Sequence, residues 1–231
     1  MNKLTAIVPF YNEEATIQIS IENLLKVSQI SQVILVDDCS TDSSLKIAKE
    51  FLKRNNEILI LQTTKNAGKG AAVRLALNSV NSEYVIVHDA DLEYNPQDIL
   101  PMMKLAESNK NIDVVLGSRF IGNKTRRNIY LRTFFANKFL SFLFSILNRR
   151  KVTDVATCYK LIKSEIYQNT ELTKNGFEYE IEILSKALEY SSDFAEVPID
   201  YNARTYQEGK KIKFSDGFKY ILCIFKYRIK N

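Results

Sequence analysis

Short apolar runs and amphipathic stretches alternate along the first 118 residues. LTAIVPF reads as a buried strand closed by a proline, and Ile17, Ile21, Leu24 and Leu25 then recur on one helical face. QVILVDD is a second buried-type strand. Thr41 or Asp42 is expected to cap the helix after it, with Leu45, Ala48 and Leu52 inward. EILILQ is a third strand, and GKGAAVRLALNSV a third helix with Val73, Leu77 and Val80 in register. EYVIVHDAD is a fourth strand, Asn95 and Pro96 read as N-cap and first residue of another helix, and IDVVLGSR is a fifth strand. Apolar strands separated by amphipathic helices predict an α/β fold with a mostly parallel sheet flanked by helices.

In such sheets, ligands bind where the carboxyl ends of the strands open into loops. That directs attention to Pro9–Glu14, Asp37–Asp42, Thr64–Gly70, His88–Glu93 and Gly117–Arg119. Asp89 and Asp91 follow an apolar run two residues apart, so on an extended chain they point to the same side. Two carboxylates placed so suit a hard cation, Mg²⁺ or Mn²⁺, although solvated strand-end acids give the same pattern. Glu93 continues the alternation. Asp37 and Asp38 suit turn formation and capping, or acceptance of hydrogen bonds from a nucleobase or ribose. Lys65, Gly68, Lys69 and Gly70 precede a helix whose N-terminus suits phosphate, yet N-A-G-K-G matches neither the P-loop nor the dinucleotide fingerprint. His88, inside the apolar strand, reads as a packed residue beneath these acids. Together the loops suggest a diphosphate ligand with a metal beside a nucleoside pocket.

Composition narrows the class. With 45% hydrophobic and 26% charged residues in 231, the chain builds a core rather than staying disordered. Cys39, Cys158 and Cys223 are scattered, which fits a reducing compartment better than a disulfide framework. MNKLTAIVPFYNEE lacks the apolar length of a secretory leader, so a cytoplasmic protein is expected. The net charge of +5 is unevenly spread: residues 119–153 hold nine basic and no acidic side chains, and residues 202–231 hold eight basic against two acidic. Such asymmetry implies an anionic partner, and no nucleic-acid-binding motif accompanies it. Residues 129–148 are rich in large apolar side chains but interrupted by Arg132, Asn137 and Lys138, which argues against a span. Phe135, Phe139, Phe142 and Ile146 share a face, as in a helix lying on a membrane, or one packed on the core. FSDGFKYILCIFKYRIKN, with Lys219, Lys226, Arg228 and Lys230, is similar in kind. These segments are expected to hold the protein peripherally on the cytoplasmic face of an anionic membrane.

The segments IVPFYNEE, ILVDDCSTDSS, KNAGKGAAVRLAL, VIVHDADLEY, VLGSRF, TDVATCYKLIK, FEYEIEI and EVPIDYNARTYQEGKKI run in an order that resembles family 2 glycosyltransferases of the GT-A fold. Within that family the chain is similar to polyprenyl- and dolichyl-phosphate sugar transferases. The resemblance implies one catalytic domain over residues 1–231, with an amphipathic excursion at 120–150 and a basic C-terminal segment at 202–231. It implies that Pro9, Tyr11, Glu13 and Asp38 line a nucleotide pocket, with Lys69 and Ala90 also on the donor side. Asp89 and Asp91 would hold the metal, with Glu93 as third ligand. Arg119 would meet the acceptor phosphate or the donor, and Arg204 and Lys210 would close over the diphosphate. Asp154, Glu178 and Glu180 would line the sugar and acceptor side, with Arg126 and Arg132 nearby. Inversion at the anomeric carbon is also implied. TDVATCYK departs from the better-known mannosyltransferase form, which has a glycine-containing turn there, so UDP and GDP both remain open as donor nucleotides.

A phosphate acceptor fits the charges. A sugar hydroxyl needs a general base, whereas a phosphate monoester is already anionic at neutral pH. Arg119, Arg126, Arg127, Arg132 and Arg204 are available to hold it, and no acid lies between 119 and 153, which leaves Asp154 as a base if one is needed. The expectation is therefore hexose transfer from a UDP- or GDP-sugar to a polyprenyl phosphate, with transfer to a saccharide hydroxyl as the alternative. A nucleotidyltransferase would need a glycine-rich basic first loop, which PFYNEE is not. A non-catalytic lipid-binding module would have no use for D-A-D.

Overall fold

The computed structural model describes residues 3–128, 130–191, 193–204 and 214–228. Its centre is a seven-stranded sheet. Strands β1 (Leu4–Phe10), β2 (Ile30–Asp37), β3 (Ile58–Gln62), β4 (Tyr84–Val87) and β5 (Ile112–Ser118) are the five apolar runs expected from the sequence. Helices α1 (Ile17–Leu24), α2 (Ser44–Leu52), α3 (Lys69–Leu77) and α4 (Ile99–Ser108) alternate with them. Every residue of β1 and of β4 is buried. Strands covered on both faces carry unbroken apolar runs for this reason.

The chain then leaves the sheet and returns. β6 (Arg126–Arg127) and the long α5 (Leu131–Asn148) form the excursion, and β7 (Lys160–Lys163) comes back between β4 and β5, antiparallel to both. After α6 (Ser164–Gln168) and α7 (Tyr179–Tyr190), β8 (Asp193–Pro198) closes the edge in parallel with β5. The order is β3-β2-β1-β4-β7-β5-β8. β9 (Tyr201–Asn202) pairs with β6, and α8 (Phe214–Lys226) packs against α5 and α7. Register brings the ligand loops together: Phe10 sits opposite Asp37, Asp37 opposite Gln62, and Ile7 opposite Val87. The residues just beyond, Tyr11, Asp38 and Asp89, therefore emerge on one edge.

Two expectations change in detail. In α2 the inward stripe is Ser44, Ile47, Ala48 and Phe51, while Leu52 is 45% exposed. At 100° per residue, Leu45 and Leu52 fall about a quarter-turn from the centre of that stripe. Asp42 does serve the start of this helix, its carboxylate accepting from Ser44 N at 2.9 Å. Asn95 caps a 3-10 turn, Pro96–Asp98, that leads into α4, its side chain accepting from Gln97 N at 3.1 Å.

Gly70 marks the tightest approach between α3 and the chain before α7. Its N–H donates to the Asn175 carbonyl at 2.7 Å, and a Cβ there would lie 2.7 Å from Tyr179 Cβ and against the Lys174 carbonyl. Overpacking of this kind costs about 1–3 kcal/mol, so Gly70→Ala should lower Tm by roughly 5 °C or more in a thermal melt. An unchanged Tm would contradict the packing.

Candidate active site

The acidic loop grows out of β4. His88 N donates to the Ile7 carbonyl at 2.9 Å, and its ring lies between Ser20 Oγ at 3.2 Å and the Tyr159 hydroxyl at 2.9 Å. Burial lowers the His88 pKa to about 4, so the imidazole is a neutral support beneath the loop. Leu92 adopts φ 63°, in the left-handed region, and Glu93 N turns back onto Asp91 Oδ1 at 3.1 Å. Asp89 and Asp91 reach a cavity of about 220 Å³ together with Pro9, Tyr11, Glu13 and Asp38.

Cations are fixed around these acids. Lys69 Nζ lies 2.7 Å from Asp89 and 2.8 Å from Glu180, and Lys160 Nζ holds Glu180 from the other side at 2.7 Å. Burial works against the Lys69 ammonium, but Asp89, Cys158 and Glu180 outweigh it and hold its pKa well above the usual value. Burial likewise opposes ionised Asp89, and Lys69 more than compensates, leaving that carboxyl below its usual range. Asp91 goes the other way: burial, then the charges of Asp89 and Glu93, push it up to about 7. Arg204 answers it only in part, reaching Asp91 at 3.2 Å and Glu13 at 2.9 Å. The Arg204 Nε–H is buried with no hydrogen-bond partner among the described residues.

Arg119 forms the opposite wall. Its Nε and Nη2 donate to the two oxygens of Asp154 at 2.7 and 2.8 Å, and its backbone N–H adds a third bond at 3.0 Å. Tyr201 lies under the guanidinium at 4.8 Å from its ring centroid. Asp154 is fully buried and does not line the cavity. Both of its oxygens accept from Arg119, so in this structure Asp154 orients that guanidinium.

Other sequence expectations also shift. Glu93 lines the cavity, but its carboxylate accepts from the Tyr201 hydroxyl and from Arg204 N at 2.7 Å. It thus pins the segment that carries Arg204. The start of α3 is closed to phosphate, because the Asn175 carbonyl already takes Gly70 N and Ala71 N. Asp38 faces the cavity while accepting from Ala67 N at 2.9 Å and Gly68 N at 2.7 Å, so it shapes the loop before α3. Gly68, at φ 95°, supplies the left-handed turn this loop needs. Ala90 and Lys69 line the cavity as expected; Arg126, Arg132 and Glu178 do not. Arg126 and Arg132 are exposed, on β6 and α5. Lys210 lies outside the described residues. Not anticipated were Lys160, Tyr201, Phe177 and Tyr220. Lys160 had one signal, a lone charge entering the apolar run YKLI; the aromatics had none.

Comparisons agree with this geometry. Residues 5–170 match the sequence profile of Glycosyl transferase family 2. The chain is 27% identical over 230 residues to the dolichol-phosphate mannosyltransferase of Pyrococcus furiosus, covering 97% of this chain and 63% of that protein. It is 31% identical over 117 residues to the undecaprenyl-phosphate 4-deoxy-4-formamido-L-arabinose transferase of Photorhabdus laumondii, covering 48% of this chain and 36% of that one. The chain thus spans less than two thirds of either relative. Among solved structures, glucosyl-3-phosphoglycerate synthase from Mycobacterium tuberculosis, in complex with Mn²⁺, UDP and phosphoglyceric acid, superposes with a TM-score of 0.74 at 17% identity. That match covers 100% of this chain and 80% of the other, and the shared fold is GT-A.

Two measurements probe the site. Asp154→Ala leaves the Arg119 guanidinium buried without its partner and should destabilise by about 3–5 kcal/mol in denaturant unfolding; a change below about 1 kcal/mol would contradict the pairing. Asp91 offers a pH test. Its folded-state pKa is raised from 3.8 to about 7, so the fold binds a proton there more tightly than the unfolded chain. The resulting stabilisation is present below the unfolded value and is lost as pH rises towards about 7. With a chelator present, Asp91→Asn should therefore raise Tm above neutral pH and change it little near pH 4; a lower Tm at every pH would contradict the charge crowding.

Proposed function

The chain belongs to glycosyl transferase family 2, and from that footing we propose that it moves a hexose, with inversion, from a UDP- or GDP-sugar to a polyprenyl phosphate at the cytoplasmic face of a membrane. The observation that carries the acceptor is the state of the cavity's acids. Glu13, Asp38, Asp89, Asp91, Glu93 and Glu180 line it, and each already accepts from a cation or a fixed N–H or O–H donor. A hydroxyl acceptor would need a base, and the one incompletely paired acid, Asp91, is the residue a metal would occupy. A phosphate acceptor arrives as an anion and needs only to be held.

The residues fit a divalent cation. Asp89 and Asp91 are hard oxygen ligands, and burial, then the charges of Asp89 and Glu93, raise the pKa of Asp91, an unfavourable state that a cation there would relieve. Among the described residues no three His, Cys, Asp or Glu side chains form a cage, so substrate oxygens and water would complete the shell, as is usual for Mg²⁺. When bound, Mg²⁺ or Mn²⁺ would neutralise the charge that develops on the departing nucleotide. The protein's own groups do the rest. The loop shaped by Asp38 and the Pro9–Tyr11 edge receive the nucleoside. Arg204 faces the diphosphate from the cavity wall, and Arg119, held rigid by Asp154, takes the acceptor phosphate.

The test combines binding and turnover. In thermal melts with Mn²⁺, UDP- and GDP-sugars are compared, and the true donor at about 100 Kd should add about 2.7 kcal/mol. With that donor, labelled sugar should pass to polyprenyl phosphate only when divalent metal is present. No labelled lipid with any donor sinks the reading, and transfer to an oligosaccharide instead would move the acceptor to a hydroxyl.

A further inference from the structure

Lys160 carries a charge into the core behind the cavity. It opens β7 between buried Tyr159 and Leu161, is 2% exposed, and does not line the cavity. Its Nζ is held by the Thr157 carbonyl and by Glu180 Oε2, the latter at 2.7 Å. A buried ion pair adds little net stability over apolar residues of the same volume. The fold alone therefore does not account for Lys160 and Glu180, and the other contacts of Glu180 show what the pair serves.

Glu180 lines the cavity, and its second oxygen lies 2.8 Å from Lys69 Nζ. That oxygen accepts no hydrogen bond among the described residues, so Glu180 meets Lys69 through charge alone and gives its hydrogen bond to Lys160. Lys69 also lies 2.7 Å from Asp89 Oδ1 and 3.3 Å from Cys158 Sγ. One ammonium thus stands between two carboxylates, one of which is the acid expected to meet a cation.

At such similar separations the two carboxylates attract Lys69 about equally. The division of Lys69 between them is then set by what else each acid holds. Lys160 occupies Glu180 and weakens its claim, which leaves the ammonium to Asp89.

We propose that Lys160 is a positioning residue: by occupying Glu180 it keeps Lys69 on Asp89, and so sets how firmly that aspartate takes a divalent cation. The inference rests on the glycosyl-transfer reading, in which Asp89 and Asp91 hold the cation. Mn²⁺ titrations of the whole chain, with and without UDP or GDP, test it through the electron paramagnetic resonance of the free ion. In Lys160→Met, Glu180 draws Lys69 off Asp89, so Mn²⁺ should bind about fivefold or more tightly than to the native chain. In Lys160→Met/Glu180→Gln, Asp89 is the one carboxylate left to Lys69, and Mn²⁺ should bind about threefold or more weakly than to the native chain. A general loosening of the site would weaken binding in both variants, so the opposite signs identify the role. Shifts of the same sign, or no shift in either variant, overturn it. Should Lys160→Met not fold, the double variant decides, because it leaves neither member of the pair as a lone buried charge. Weaker Mn²⁺ binding there, at a Tm within a few degrees of the native chain, supports the role, and native affinity overturns it. A native chain that binds no Mn²⁺ under any of these conditions overturns both the metal site and the role of Lys160. Unshifted variants of a chain that does transfer sugar overturn Lys160 alone. Opposite shifts in a chain that transfers sugar to no acceptor sink the proposed reaction and leave the role of Lys160 standing.

Discussion

Everything in the cavity depends on pairing charges that are removed from water. Lys160, Glu180, Lys69 and Asp89 form a buried sequence of alternating sign that joins β7, α7, α3 and the loop after β4. An isolated charge at such depth would be strongly destabilising, so each partner dictates where the next must sit. The N-terminus of α3 is anchored in the same place by the Asn175 carbonyl, and the chain there is held by Glu182, which accepts from Thr173 N and Lys174 N. A loop that looks like a phosphate cradle is thus a clamp that aims a lysine at an aspartate.

Asp91 is where this pairing is incomplete. Burial, then the charges of its neighbours Asp89 and Glu93, outweigh Arg204, and the carboxyl is pushed up to about 7. Glu93, by contrast, is satisfied by Tyr201 and the backbone of Arg204. The same short loop therefore holds one acid tied to a lysine, one that is underpaired and one that fastens the backbone of Arg204. Unequal environments for neighbouring carboxylates are a common mark of functional sites.

The sheet edge and the two outer helices divide the labour. Parallel strands deliver the loops after β1, β2 and β4 to one edge, whereas the Arg119 side of the cavity is built with the excursion through α5 and the return through β7. Arg119 ends β5, Asp154 follows α5, and Tyr201 follows β8; they meet only because β5, β7 and β8 are neighbours in the sheet. The outer faces of α5 and α8, with Phe139, Phe142, Phe218 and Phe225, remain bare.

Local pattern was enough to read the five apolar strands, the helices between them, the edge where ligands bind, and Asp89 and Asp91 as a pair on one side, because strand and helix periodicities act over a few residues. Long-range partners were not legible. The commitment of Asp154 to Arg119 spans 35 positions, that of Arg204 to Glu13 spans 191, and nothing in either neighbourhood encodes the other. The antiparallel insertion of β7 and the hold of the Asn175 carbonyl on the α3 N-terminus are likewise long-range contacts. Sequence determined which residues gather at the carboxyl edge of the sheet; tertiary structure decided which of them already have partners, because a buried charge takes whatever opposite charge the fold brings near.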